Sequence, residues 1–198
     1  MIKDKHFVTT KEQALLSIQK SVEICVQPAY HALALEPLSI EGFQTAPASS
    51  DKHHVFEGGL LVHTGQVVHT CMYTAMALNK ISVQNLVIAA IWHDVGKIWD
   101  YDRVKQGFLK ELRNGPKWDK TLHRELVGHL PRSFALFSEA AMHYGIPDDM
   151  EEMIGHLILS HHGRMEWRSP VEPKTAEAWI LHSSDMLCSH YIETNQVK

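Results

Sequence analysis

Residues 89–97 read Ala89-Ala90-Ile91-Trp92-His93-Asp94-Val95-Gly96-Lys97. An apolar helical stretch ends there on an imidazole, a carboxylate, a glycine and a lysine. The helix spans 82–94 with Ser82 as its cap, and Leu86, Ala89, Ala90 and His93 fall on one stripe. That spacing points His93 to the interior. Burying an imidazole and a carboxylate at the end of an apolar face is costly unless something compensates them. A divalent cation is the most economical compensation, because both groups are good ligands. Candidate partners are His63 before the pair, then His129, His161-His162 and Asp185 after it.

Outward from this stretch the patterning is helical. A helix over 10–35 starts at Thr10, with Ala14, Leu15, Ile18, Val22 and Cys25 as its apolar stripe and Pro28 interrupting or ending it. Residues 36–52, rich in Pro, Ser, Ala and Gly, read as loop. A strong helix runs from Leu60 to Leu78, approached by Glu57-Gly58-Gly59, which lets backbone come close to a neighbour. Residues 99–120 are polar with spaced glycines and predict a hairpin or mobile loop, not a packed helix. Helical patterning returns from Leu122 to His143 and breaks at Gly145 and Pro147. Asp148 with Glu151 forms a capping box for the next helix, on which Met150, Ile154, Leu157 and His161 share a face. Residues 163–173 are loop and 174–192 a final helix. Five or six helices, no run of alternating strands and no internal repeat predict an all-α bundle with a loop or small hairpin inserted after the pair.

The chain of 198 residues suits one domain, or a domain with a small appendage. Its net charge of −4 argues against a broad electrostatic surface for nucleic acid, though not against a local basic groove. The unusual number is 15 histidines, many at inward positions. Cys25, Cys71 and Cys188 lie far apart with no CxxC pair, so neither a zinc ribbon nor a disulfide framework is indicated, and small buried hydrophobes in a reducing compartment are expected. Met1-Ile2-Lys3-Asp4-Lys5-His6 lacks the apolar core of a signal peptide, and no stretch is long enough to span a bilayer. A cytoplasmic protein with no membrane partner is expected.

A lone histidine on an apolar helix face is usually a hydrogen-bonded core residue. The number of helices that end alike changes that reading. His63, His93-Asp94, His129, His161 and Asp185 belong to successive helices, and bundles build metal sites from inward polar side chains on facing helices.

The ordered pattern His63, His93-Asp94, His129, His161-His162, Asp185 resembles the HD-domain metal-dependent phosphohydrolase superfamily. The resemblance implies that His63, His93, Asp94 and Asp185 hold one divalent metal. It implies that His129 and His161 serve a second, with Asp94 bridging and His162 as an alternative or additional contact. His53-His54, Gly58-Gly59-Leu60, Gly128-His129, Leu159-Ser160-His161-His162-Gly163 and Ile180-Leu181-His182-Ser183-Ser184-Asp185 follow in order. The stretch from about His53 to His190 therefore looks like the HD domain of bacterial 3′–5′ exoribonucleases that carry an N-terminal OB-fold. It is also similar to HD domains associated with conjugative relaxases. Residues 1–50 are too short and too helical for an OB-fold and are expected as a helix and loop packed on an HD domain of 51–198.

Phosphate ester hydrolysis needs a nucleophile, neutralisation of the phosphoryl oxygens and a leaving-group proton. One or two divalent ions supply the first two. Mixed nitrogen and oxygen ligands suit Mn, Fe, Co, Ni or Zn better than Mg. Asp94, Lys97 and His54 are the candidate catalytic groups, and His53, His54, Lys97 and Arg164 the candidate substrate contacts. Each also has a plain reading: Lys97 as a helix-end lysine complementing the dipole, His53 and His54 as loop histidines, Arg164 as a solvated charge. His182 reads as a core residue or a support for a ligand. Of the five tryptophans, Trp118 and Trp167 lie in polar loops and are the two to test for base stacking. The expected activity is a metal-dependent phosphohydrolase cleaving a nucleotide or nucleic-acid phosphodiester in the manner of a 3′–5′ exonuclease. The alternatives are a nucleotidase or dNTP triphosphohydrolase, and a non-catalytic nucleotide-binding module with a structural metal. Expected partners are a nucleotide or single-stranded nucleic acid, with homo-oligomerisation left open.

Overall fold

Thr10 starts the first helix, α1 (Lys11–Cys25), through a reciprocal cap. The Gln13 amide N–H donates to Thr10 Oγ1 at 3.2 Å, and Gln13 Oε1 accepts from the Thr10 N–H. The computed structural model describes residues 8–195, with side chains to 190; residues 1–7, read above for a targeting signal, and 196–198 lie outside them. Ala14, Ile18 and Val22 bury one face of α1. Pro28 opens a 3₁₀ turn, Pro28–Tyr30, that separates α1 from the short α2 (His31–Leu35). A second 3₁₀ turn, Glu36–Ser39, follows, and the remaining loop buries Phe43, Ala46 and Ala48.

Helix α3 (Gly59–Met76) is buried on all sides from Gly59 to Val68. It crosses α1 so closely that a methyl group on Gly65 would lie 2.7 Å from Ala14 Cβ. Helix α4 (Val83–Trp92) is the centre of the bundle. Leu86 to Trp92 are all buried, as the all-round apolar run demands. Trp92 donates its indole N–H to the Leu33 carbonyl at 3.0 Å and packs edge-on against Phe137. Ser82 makes no side-chain cap; its N–H instead donates to Glu177 Oε1 at 2.8 Å.

Residues 101–120 form a small antiparallel hairpin, β1 (Tyr101–Arg103) with β2 (Trp118–Lys120), in the register Asp102 opposite Asp119. Its tip carries a seven-residue helix, α5 (Phe108–Asn114), with Phe108, Leu109 and Leu112 exposed. The predicted continuous helix over 122–143 is two: α6 (Leu122–Leu126) and α7 (His129–Tyr144). Gly128 at φ 77° lets the chain turn between them and starts α7 on His129. Helix α8 (Asp148–Ser160) lacks the predicted capping box. Pro147 is its N-cap, while Glu151 turns to α7 and accepts from the Ser138 hydroxyl at 2.6 Å. The last helix, α9 (Ala176–Asn195), packs on α3, α4 and α8. Nine α-helices and one two-stranded hairpin among the described residues make an all-α bundle with a hairpin insertion. Among the described residues no helix is long and apolar enough to cross a membrane.

Candidate metal centre

The ends of α4, α7, α8 and the flanks of α3 and α9 converge on Asp94. Its two carboxylate oxygens face different nitrogens. Oδ2 lies 3.2 Å from His93 Nε2 and 3.4 Å from His63 Nε2, while Oδ1 lies 3.5 Å from His129 Nε2 and 3.6 Å from His161 Nε2. Asp185 closes the first set, with Oδ1 3.0 Å from His63 Nε2 and 4.0 Å from His93 Nε2. His162 closes the second, with Nε2 3.2 Å from His129 Nε2. Ligands about 2.1 Å from one ion sit roughly 3.0–3.4 Å apart at right-angled or tetrahedral positions. One ligand atom each from His63, His93, Asp94 and Asp185 could therefore hold one cation, and His129, His161 and His162 could hold another.

Hydrogen bonding behind the rings sets which nitrogen faces inward. Nδ1 of His93 donates to the Ala90 carbonyl at 2.8 Å, that of His161 to Ile158 at 2.6 Å, and that of His162 to Trp167 at 2.7 Å. His129 donates its Nδ1–H to Asp100 Oδ2 at 3.0 Å. All four rings so present bare Nε2 lone pairs to the centre, the form a metal takes. Nε2 of His93 and His161 and Oδ1 of Asp94 are fully buried without a hydrogen-bond partner. The lone pairs of His129 and His162 face one another across 3.2 Å, an arrangement that a cation between them relieves.

The charges agree with this. Burial alone would raise the Asp94 carboxyl, but the Lys97 ammonium and His93 outweigh it and hold it well below the usual carboxylate range. Asp185 is likewise raised by burial and lowered further by His63. Burial pushes His129 down against the pull of Asp100, and pushes His162 down to about 2 with help from His161 and His129. These rings are neutral at pH 7 and ready to ligate.

The flanking candidates sort themselves. Lys97 is buried in a 3₁₀ turn, Val95–Trp99, with Nζ 2.5 Å from Asp94 Oδ2; it faces the carboxylate cluster, not the solvent at a helix end. His54, expected at the leaving-group proton, is buried with both ring nitrogens engaged. Nε2 donates to Gln66 Oε1 at 3.0 Å, while Nδ1 lies 3.1 Å from His53 Nδ1. Burial and the nearby His63 push it down to about 3, so it is neutral and holds His53, whose ring stands 5.1 Å from His63. The backbone comes close here, since a methyl group on Gly59 would fall 2.0 Å from the His54 carbonyl oxygen. His53, His54 and His63 form a third group that could hold a cation. Arg164 is exposed, its guanidinium 5.4 Å over the Trp167 ring. His182 supports the candidate ligand His161, donating from Nδ1 to its carbonyl at 2.7 Å.

The profile of the HD domain matches residues 60–188, the span that holds all seven residues of the two sets. The chain belongs to the HD domain family. Curated relatives named 3′-5′ exoribonuclease YhaM are similar to it. The one from Geobacillus sp. (strain WCH70) is 33% identical over 141 residues, 71% of this chain and 40% of the relative. The Bacillus subtilis (strain 168) protein is 32% identical over 145 residues, 73% and 43%. That from Oceanobacillus iheyensis is 31% identical over 147 residues, 74% and 43%. The chain thus spans about two fifths of the length of these relatives. No solved structure matches this HD domain.

Sequence reasoning missed the support behind His129. Asp100, fully buried, accepts from His129, from His123 Nδ1 at 3.2 Å and from Arg124 Nη1 at 3.4 Å. No spacing rule marks it, because its histidine partners lie 23 and 29 residues away and the residues beside it read as polar loop. Ser133 was missed likewise: its hydroxyl accepts from the Gly96 N–H at 2.9 Å and ties the turn after Asp94 to α7.

Proposed function

We propose that this HD domain hydrolyses phosphodiesters of single-stranded nucleic acid from the 3′ end, using two divalent transition-metal ions. The observation that carries the proposal is Asp94, whose two oxygens face two separate sets of histidine nitrogens, each set with one fully buried nitrogen that has no hydrogen-bond partner, His93 Nε2 beside Oδ2 and His161 Nε2 beside Oδ1. His63, His93 and Asp185 hold one ion in this reading, His129, His161 and His162 the other, and Asp94 is shared. The nitrogen-rich set favours Mn, Fe, Co, Ni or Zn over Mg. Ions bound there neutralise phosphoryl charge and lower the pKa of water.

The chain's own groups do the rest. Carbonyls of Ala90, Ile158 and Trp167 and the Asp100 carboxylate hold the ligand rings in one tautomer and orientation. Lys97 offers a buried ammonium beside Asp94 for a phosphate oxygen. His53, its Nδ1 turned to His54, keeps its other nitrogen for the substrate. The 3′ polarity and the nucleic-acid substrate rest on the names of the YhaM relatives. In this reading the HD domain comprises 51–198 and the part before it is an appendage, whose described helix α1 and following loop pack on that domain, and the free Cys25, Cys71 and Cys188 suit a cytoplasmic setting. A net charge of −4 favours a second reading, a nucleotidase or dNTP triphosphohydrolase.

Asp94→Ala is expected to abolish metal-dependent hydrolysis and to lower bound metal, read by elemental analysis, while circular dichroism keeps its helical signal. Full activity in this variant overturns the assignment. Wild-type protein given short single strands, dNTPs and bis(p-nitrophenyl) phosphate separates the readings. Nucleoside monophosphates released stepwise from 3′ ends support the exonuclease, and turnover of dNTPs alone supports the second reading.

A further inference from the structure

We propose that Trp167 is the platform on which the nucleobase next to the scissile phosphate stacks. This rests on the reading of the cluster as a phosphodiesterase centre and adds the subsite that recognises the base. A cleft of about 420 Å³ is lined by His129 and His162 of the second set and by Trp167, Arg124, Arg168 and Pro170. That volume lies in the range of pockets that hold nucleotide-sized ligands.

Trp167 stands at the end of a 3₁₀ turn, Met165–Trp167, and is 46% exposed. Its backbone is fastened to the centre, because its carbonyl is the acceptor for His162 Nδ1 at 2.7 Å. The turn is pinned on both sides. The Ser169 N–H donates to the Arg164 carbonyl at 3.0 Å, and the buried Ser169 hydroxyl contacts the Leu159 and Val171 carbonyls at 2.9 Å. The indole is held in place by His182, stacked at 6.2 Å and 26°, and by the Arg164 guanidinium. Neither of those side chains lines the cleft, whereas Trp167 does.

An aromatic ring fixed one hydrogen bond from a candidate ligand is a preorganised stacking surface. Arg124 and Arg168 line the same cleft paired with carboxylates that line it too, Arg124 with Asp100 at 3.4 Å and Arg168 with Glu125 at 3.9 Å, so the indole and not a net positive charge is what the cleft offers a base. The other loop tryptophan has no such freedom. Trp118 is 8% exposed, with its indole N–H given to the Val55 carbonyl at 2.9 Å.

The test compares a short single strand with the same strand carrying an abasic 3′-terminal residue, on wild type, Trp167→Ala and Trp167→Phe. Stacking on one aromatic ring changes the preference for the natural strand by about 5- to 150-fold. Trp167→Ala should lose that preference in kcat/KM, and Trp167→Phe, which keeps an aromatic face, should retain most of it. Unchanged preference in Trp167→Ala, or equal loss in both variants, overturns the platform. If wild type hydrolyses no strand, the phosphodiesterase reading fails separately and binding decides the platform. Fluorescence anisotropy then follows a labelled strand and a labelled nucleoside monophosphate on the Asp94→Asn background, with and without Trp167→Ala. Weaker binding with Trp167→Ala in either arm supports the platform and identifies the source of the base. Equal binding in both arms overturns it.

Discussion

The substitution Asp100→Asn changes no shape but removes one charge and turns one acceptor into a donor. The carboxylate takes hydrogen bonds from His129 at 3.0 Å, His123 at 3.2 Å and Arg124 at 3.4 Å, in a fully buried position. Burial would raise its pKa, but the His129 hydrogen bond, with Arg124 and His123, more than offsets that, and it is ionised at neutral pH. The single amide oxygen of the asparagine can serve His129 or His123, not both. His123 cannot adapt, because its Nε2 already accepts from Arg132 Nε at 3.2 Å, which fixes its Nδ1 as the donor toward residue 100. Asparagine so sets an N–H against an N–H. Losing one charge-assisted hydrogen bond costs about 1.5–3 kcal/mol. Changing a carboxylate behind a metal-ligating histidine lowers affinity about 10- to 100-fold. The two figures agree. Isothermal titration of metal-free protein with Mn²⁺ or Zn²⁺ should show this loss in one binding step only, the one that uses His129. Two unaltered steps, or equal weakening of both, would refute the reasoning.

Further expectations are more local. A methyl group at residue 96 would lie 2.4 Å from the His129 carbonyl oxygen and 2.7 Å from its Cα, so Gly96→Ala forces α7 away from the turn after Asp94. Overpacking of about 1–3 kcal/mol, a fall of roughly 2–12 °C in Tm, should appear in a thermal melt. Weaker binding of the second ion should accompany it, and an unchanged melting temperature would count against the close approach. His156 accepts the Lys174 N–H at Nε2, 3.0 Å, and burial followed by Lys174 lowers its pKa below its ordinary value. The unfolded chain therefore takes up the proton first, so its contribution is present above about pH 6.5 and fades as pH falls toward the folded-state value. Urea unfolding at pH 7.5 and 5.5 should show a smaller loss in His156→Gln than in wild type; equal losses would contradict it.

Much of this molecule was legible in its sequence, for a physical reason. Helix-period apolar stripes marked α1, α4 and α8, and the abrupt end of the most apolar stripe marked His93 and Asp94. Errors arose where local patterning is weak. The turn at Gly128 splits a run that reads as one helix, and α5 sits in a stretch that reads as loop. Asp148 and Glu151 have capping-box spacing, but Glu151 is drawn to Ser138 on another helix.

The order of histidines and aspartates along the chain, and their place on helices, determined by itself that an HD domain with metal-ligating chemistry was in hand, because spacing and side-chain chemistry are local properties. Tertiary structure alone decided that Asp94 faces two sets of nitrogens and that Asp100, 29 residues before His129 in the chain, orients that ring. It also tied His54 to Gln66 and placed Trp167, not Trp118, at the open cleft. Those are facts of distance between residues remote in the chain, set by how the helices pack, and no local pattern carries them.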